Sequence, residues 1–149
     1  MIAVTVGALP IRKSQINPMA ERNLPIDETG NSTNGNQDAQ KVIVIGASAG
    51  GFEAFKKFVG GLPADFSTPI FIVWHMSPDV RGILPQVLNM VNSIEAAHAY
   101  DREEIKPGSI YVARPDHHLL VEDGIVLVTH GPKENRFRPA VDPLFRSSA

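Results

Sequence analysis

Residues Gly46-Ala47-Ser48-Ala49-Gly50-Gly51 satisfy the G-x-S-x-G spacing. Small residues on either side of a serine permit a tight turn that projects its hydroxyl off the backbone. N–H groups at the start of a following helix can stabilise an oxyanion, so the pattern admits Ser48 as a nucleophile with Ala49 and Gly50 as backbone donors. The same residues also suit a turn that packs a strand closely on a helix, or a loop that binds phosphate through those N–H groups. A nucleophilic serine needs a base at neutral pH, and the chain offers His75, His98, His117, His118 and His130. Asp116-His117-His118, with His98 or His130, has the ligand types of a zinc site. Adjacent histidines at the start of a strand face opposite sides, however, and no metal site is expected. Lys133, Arg136, Arg138 and Arg146, opposed locally by Glu134 and Asp142, form a basic stretch. It reads as a solvated surface or as a dock for an acidic protein, and without an aromatic stacking pattern no nucleic acid is expected.

These residues need elements to position them. Val42-Ile43-Val44-Ile45 runs into a glycine and has the pattern of a strand buried on both faces of a parallel sheet. Phe52, Phe55, Phe58 and Val59 then recur at spacings of three and four, which predicts a helix from Gly50 to about Val59, stopped by Gly60-Gly61-Leu62-Pro63. A second buried strand follows at 70–74, and a second amphipathic helix carries Ile83, Leu84, Val87, Leu88 and Val91. If the two strands are neighbours, Ser48 and His75 emerge at one sheet edge, where ligands bind in open α/β folds; His75 is therefore the favoured base. Short strands are expected at about 94–100, 109–113, 118–121 and 125–129, the last two forming a hairpin around Glu122-Asp123-Gly124. Something helical begins at Val141 to Phe145, and the chain reaches Ser147-Ser148-Ala149 with no C-cap signal, so it looks cut.

A length of 149 residues argues for one domain rather than two. Hydrophobic residues at 43% and charged residues at 20% exclude a wholly disordered, collagen-like or coiled-coil chain. A net charge of −2 provides no global field for nucleic acid or anionic membrane. With no cysteine there is no disulfide, thiolate metal site or thiol nucleophile, which suits a cytoplasmic location. The longest apolar run is the five residues 70–74, far short of the roughly 20 that a spanning helix needs, so no membrane insertion is expected. The apolar opening has its basic pair, Arg12-Lys13, after it rather than before, unlike a secretory signal. Residues 28–40 contain no Val, Ile, Leu or Phe. Residues 1–40 are accordingly expected to be a flexible segment and linker, with the fold in 41–149.

Four stretches carry a family likeness: Ile45 to Gly51, Trp74-His75-Met76-Ser77-Pro78, Lys106 to Ala113, and Asn135 to Phe145 with its Arg136-Phe137-Arg138-Pro139-Ala140-Val141-Asp142-Pro143 core. In this order they resemble the motifs of the CheB catalytic domain, the protein-glutamate methylesterase of bacterial chemotaxis. The resemblance implies a doubly wound α/β domain with a mainly parallel sheet, flanking helices and a β-hairpin, incomplete at the carboxyl end. It implies cofactor-free hydrolysis of glutamate methyl esters, and deamidation of glutamines, on the cytoplasmic helices of methyl-accepting chemoreceptors. Residue by residue, Ser48 matches the nucleophile and His75 the general base. The family's third catalytic member is an aspartate in a later glycine-rich motif, which these 149 residues do not include. Its loss from serine hydrolases costs about 10⁴ in turnover, so weak activity is expected of this chain. Classical members also carry a phosphorylated receiver of the chemotaxis phosphorelay ahead of the esterase, and forty residues are too few for one. A different outcome is a non-catalytic module of the same fold that docks on receptor helices through Arg136 and Arg138. The oligomeric state is not legible.

Overall fold

In the computed structural model, which describes residues 2–9, 40–48, 50–75 and 82–149, the apolar run Val42 to Ile45 lies inside a central strand. The elements in chain order are β1 (Ile2–Leu9), β2 (Gln40–Ala47), α1 (Gly51–Gly60), β3 (Ile70–Trp74), α2 (Leu84–Val91), β4 (Glu95–His98), β5 (Ser109–Val112), β6 (His118–Glu122), β7 (Ile125–Thr129) and α3 (Val141–Ser147). Five strands form one sheet in the order β1-β2-β3-β5-β4. The pairs β2/β3, β3/β5 and β4/β5 are parallel, and β1/β2 is antiparallel.

Both long helices pack on one face of this sheet. Phe55 and Val59 of α1, with Leu84 and Leu88 of α2, close over Ile45, Ile70, Ile72 and Ile110. The glycine stop works as expected, since the Gly61 N–H satisfies the carbonyls of Lys57 and Phe58, each at 3.2 Å. Asn92 bridges the two helices by donating to the carbonyls of Val59 at 2.7 Å and Leu62 at 3.0 Å. Asn89 acts as a surrogate strand partner on the β4 edge, accepting from Ala96 N–H at 2.8 Å and donating to its carbonyl at 2.9 Å. That arrangement satisfies edge backbone groups that would otherwise invite pairing with another chain.

The opposite face is covered differently. The β6/β7 hairpin and α3 place Leu119, Val121, Val126 and Leu144 over Val42, Val44, Phe71 and Val73. Asp123 and Gly124 at the hairpin tip both have positive φ, 50° and 75°, the backbone a two-residue I′ turn requires. These central strands are therefore covered on this face too: Val42, Val44, Phe71 and Val73 are 0% exposed. A hairpin and a short helix supply the layer that two long helices could not.

Residues 2–9 also differ from the expected flexible segment. They form β1, with Ile2 opposite Ala47 and Leu9 opposite Gln40. Alternation along this strand buries Gly7 and Leu9 on the α3 side, while Ile2, Val4 and Val6 are 44%, 56% and 66% exposed. The rest of the expected linker, 10–39, lies outside the described residues.

Candidate active site

The parallel register pairs Ala47 with Trp74. The chain consequently leaves the sheet at Ser48 and at His75 from adjacent strands, and the His75 N–H donates to the Ala47 carbonyl at 2.8 Å. Ser48 is exposed beyond the strand end. Its carbonyl accepts from Trp74 Nε1 at 3.1 Å and from the Gly51 N–H at 2.8 Å, so the turn is clamped from the core and from the helix start. Trp74 is itself immobilised, 2% exposed and stacked on Phe52 with ring centroids 5.4 Å apart. Two of the motif's glycines are required by close approach. A Cβ on Gly46 would lie 2.7 Å from Val141 Cγ2, and one on Gly51 would meet Phe55 Cε2 at 3.2 Å and overlap the Ala47 Cβ. Among the described residues nothing lies within 4 Å of a Cβ added to Gly50. The Gly51 N–H is already engaged, and Ala49, expected as an oxyanion donor with Gly50, lies outside the described residues.

His75 is half-buried, and its imidazole stacks on the Phe137 ring at 4.4 Å between centroids, with the planes within 4° of parallel. Phe137 comes from a two-residue turn in which Glu134 and Phe137 exchange backbone hydrogen bonds of 3.1 and 2.9 Å. Asn135 and Arg136 at its tip have φ of 49° and 69°. Several tethers hold this loop. Arg146 Nη2 donates to both Glu134 oxygens at 2.8 and 3.0 Å, and Asn135 Nδ2 donates to Asp142 Oδ2 at 2.8 Å. Arg138 donates from Nε to Asp116 Oδ1 at 2.9 Å and from Nη1 to the Gly131 carbonyl at 2.8 Å. The buried His118 accepts the Ala140 N–H on Nδ1 at 3.2 Å, which leaves its Nε2 as the donor to the Pro132 carbonyl at 2.8 Å. The Arg138 hydrogen bond, reinforced by one from His130, holds the Asp116 carboxyl down at about 2. The Arg146 hydrogen bond likewise lowers the Glu134 carboxyl.

The family model described as CheB methylesterase matches residues 43–149. The chain belongs to that family. A protein-glutamate methylesterase/protein-glutamine glutaminase from Caulobacter vibrioides is 38% identical over 114 residues, covering 73% of this chain and 33% of that protein. One from Geobacter metallireducens is 43% identical over 114 residues, covering 74% of this chain and 31% of that protein. Among solved structures, the CheB methylesterase catalytic domain of Thermotoga maritima superimposes with a TM-score of 0.64 at 33% identity, covering 70% of this chain and 57% of that one. The chain thus spans about a third of these two relatives and a little over half of the solved domain. The expected α/β architecture, a mostly parallel sheet with flanking helices and a hairpin, is that of the CheB catalytic domain.

Within this CheB fold the other candidate bases are placed away from Ser48 or committed elsewhere. His98 ends β4 at the far edge of the sheet, with β5 and β3 between it and β2. His117 Nδ1 sits 3.0 Å from the Pro115 carbonyl, and His130 Nε2 sits 3.0 Å from Asp116 Oδ2. Both nitrogens of His118 are bonded to backbone. Among the described residues no group of three His, Asp or Glu side chains is arranged to hold a metal, and no helix is long and apolar enough to cross a membrane. Arg138, expected beside Arg136 as a docking residue, has a side chain only 15% exposed and paired with Asp116. Arg136 is the exposed member of the two. Reading the sequence did not assign Phe137 or Asp116 to the site. The available signal was an aromatic residue inside a loop otherwise rich in proline and charge.

Proposed function

We propose that residues 41–149 are part of a protein-glutamate methylesterase catalytic domain, with Ser48 as nucleophile and His75 as general base. The observation that carries this reading is the β2/β3 register, which brings the two residues out of adjacent parallel strands at the same sheet edge. His75 takes the Ser48 hydroxyl proton as the oxygen attacks the carbonyl carbon of a glutamate methyl ester. The tetrahedral oxyanion is received by N–H groups around Ala49 and Gly50. The carbonyl–methoxy bond breaks, and the His75 imidazolium returns the proton to the departing methanol. A water, deprotonated by the same imidazole, then cleaves the glutamyl-serine ester, releasing the glutamate carboxylate and restoring the hydroxyl. With a glutamine side chain the leaving group is ammonia and the product is the same.

The macromolecular substrate in this reading is a cytoplasmic helix of a methyl-accepting chemoreceptor. A helix carrying glutamates is acidic, and the exposed Arg136, next to the Phe137 that stacks on His75, offers complementary charge. Nothing in the scheme requires a cofactor. The test is release of methanol from a methyl-esterified receptor peptide. Ser48→Ala and His75→Gln should each lower turnover by about the same large factor, and the double variant should lose no more, because members of one catalytic unit fail together. Turnover retained in Ser48→Ala would remove it from the nucleophile's role.

A further inference from the structure

We infer that Phe137 is a positioning residue for the general base, an inference that rests on the assignment of His75 above. The 4.4 Å stack, with planes 4° apart, lays one flat ring along the other. Hydrophobic burial does not account for it, because Phe137 is 48% exposed and lies outside both core clusters. The surrounding loop is built to present this ring. Two successive residues in left-handed backbone, Asn135 and Arg136, close the turn that carries it. The tethers from Arg146, Asp142 and Asp116 then fasten that turn to α3 and to the segment before β6.

The physical role follows from the geometry of the stack. The His75 backbone is held by its hydrogen bond to Ala47, and a swing of the imidazole plane is a rotation about the side-chain bonds. A parallel aromatic face opposes that swing, because any tilt loses contact area. Small misplacement of a proton-transfer group is costly to rate. The same face also attracts the imidazolium that forms as the proton moves. An aliphatic side chain of similar bulk would fill the space without defining a plane.

The experiment compares Phe137→Leu, Phe137→Trp and Phe137→Ala in the full chain by imidazole NMR and methyl-ester hydrolysis. The ring current of Phe137 should shift the His75 carbon-bound ring protons upfield. That shift should vanish in the leucine variant and persist in the tryptophan variant. Turnover should fall about tenfold in Phe137→Leu with KM within about twofold, and Phe137→Trp should stay within about threefold of the parent. If Phe137→Ala fails to fold, the leucine and tryptophan variants decide the matter alone. A Phe137→Leu of parental kcat, or a His75 resonance that does not move, overturns the inference. Full turnover in His75→Gln overturns the base assignment and this inference with it. An inactive His75→Gln beside a fully active Phe137→Leu overturns this inference alone.

Discussion

At the scale of single residues, the roles proposed for Ser48 and His75 rest on neighbours that do no chemistry. Trp74 Nε1 fixes the Ser48 carbonyl, Phe137 backs the His75 ring, and Asp116 anchors the loop bearing Phe137 through Arg138. Asp116 also gives the loop a defined acid sensitivity. Its carboxyl is lowered to about 2 by the Arg138 hydrogen bond and then by that from His130, from an ordinary value of 3.8. A depressed carboxyl favours the folded state wherever it is ionised. Its contribution is complete above about pH 4 and disappears as pH falls through about 2. Asp116→Asn removes the charge while tolerating the residue's φ of 61°. Thermal unfolding of the two proteins across pH 2–6 should show the parent more stable above about pH 4, with the gap closing towards pH 2. A gap that persists unchanged at pH 2 would detach the ionised carboxylate from loop anchoring. Because the Asp116 side chain is exposed, solvent screens the pair and the gap should be small.

At the scale of elements, legibility followed whether a pattern was local. The buried runs of β2 and β3, the phenylalanine stripe of α1 and the Asp-Gly hairpin each declare themselves within a dozen residues, and the structure has all of them. The placement of Ser48 and His75 at one sheet edge was legible for the same reason, since each directly follows a recognisable strand. β1 was not, because its antiparallel register joins Leu9 to Gln40 across a long polar stretch that masks an alternating strand. The contacts of Phe137 and Asp116 were not either, because they form only once separate segments fold together. The junction of β2 with α1 makes a separate prediction. Gly46 sits under Val141 with no room for a methyl group, so Gly46→Ala must push α3 off the sheet. Overpacking of this kind costs about 1–3 kcal/mol. Chemical denaturation should show that loss for Gly46→Ala, whereas Gly50→Ala, with no described residue within 4 Å of the added methyl, should lose far less. Equal losses would mean that the strand–helix junction is not closely packed at Gly46.

At the scale of the whole molecule, three separated stretches converge on one sheet edge. The turn after β2 brings Ser48, the end of β3 brings His75, and the loop before α3 brings Phe137. The two long helices and the hairpin layer bury both faces of the central strands and hold their ends in register. The chain belongs to the CheB methylesterase family, and reactivity at Ser48 tests the proposed roles of Ser48 and His75 directly. The decisive measurement is the rate at which a serine-directed phosphonate labels Ser48 in the folded chain, followed by peptide mass spectrometry in the parent and in His75→Gln. The account predicts faster labelling of Ser48 than of the chain's other serines, with that advantage lost in His75→Gln, as expected of a hydroxyl activated by a general base. Labelling of Ser48 no faster than of the other serines, or a fast rate untouched by His75→Gln, would contradict it.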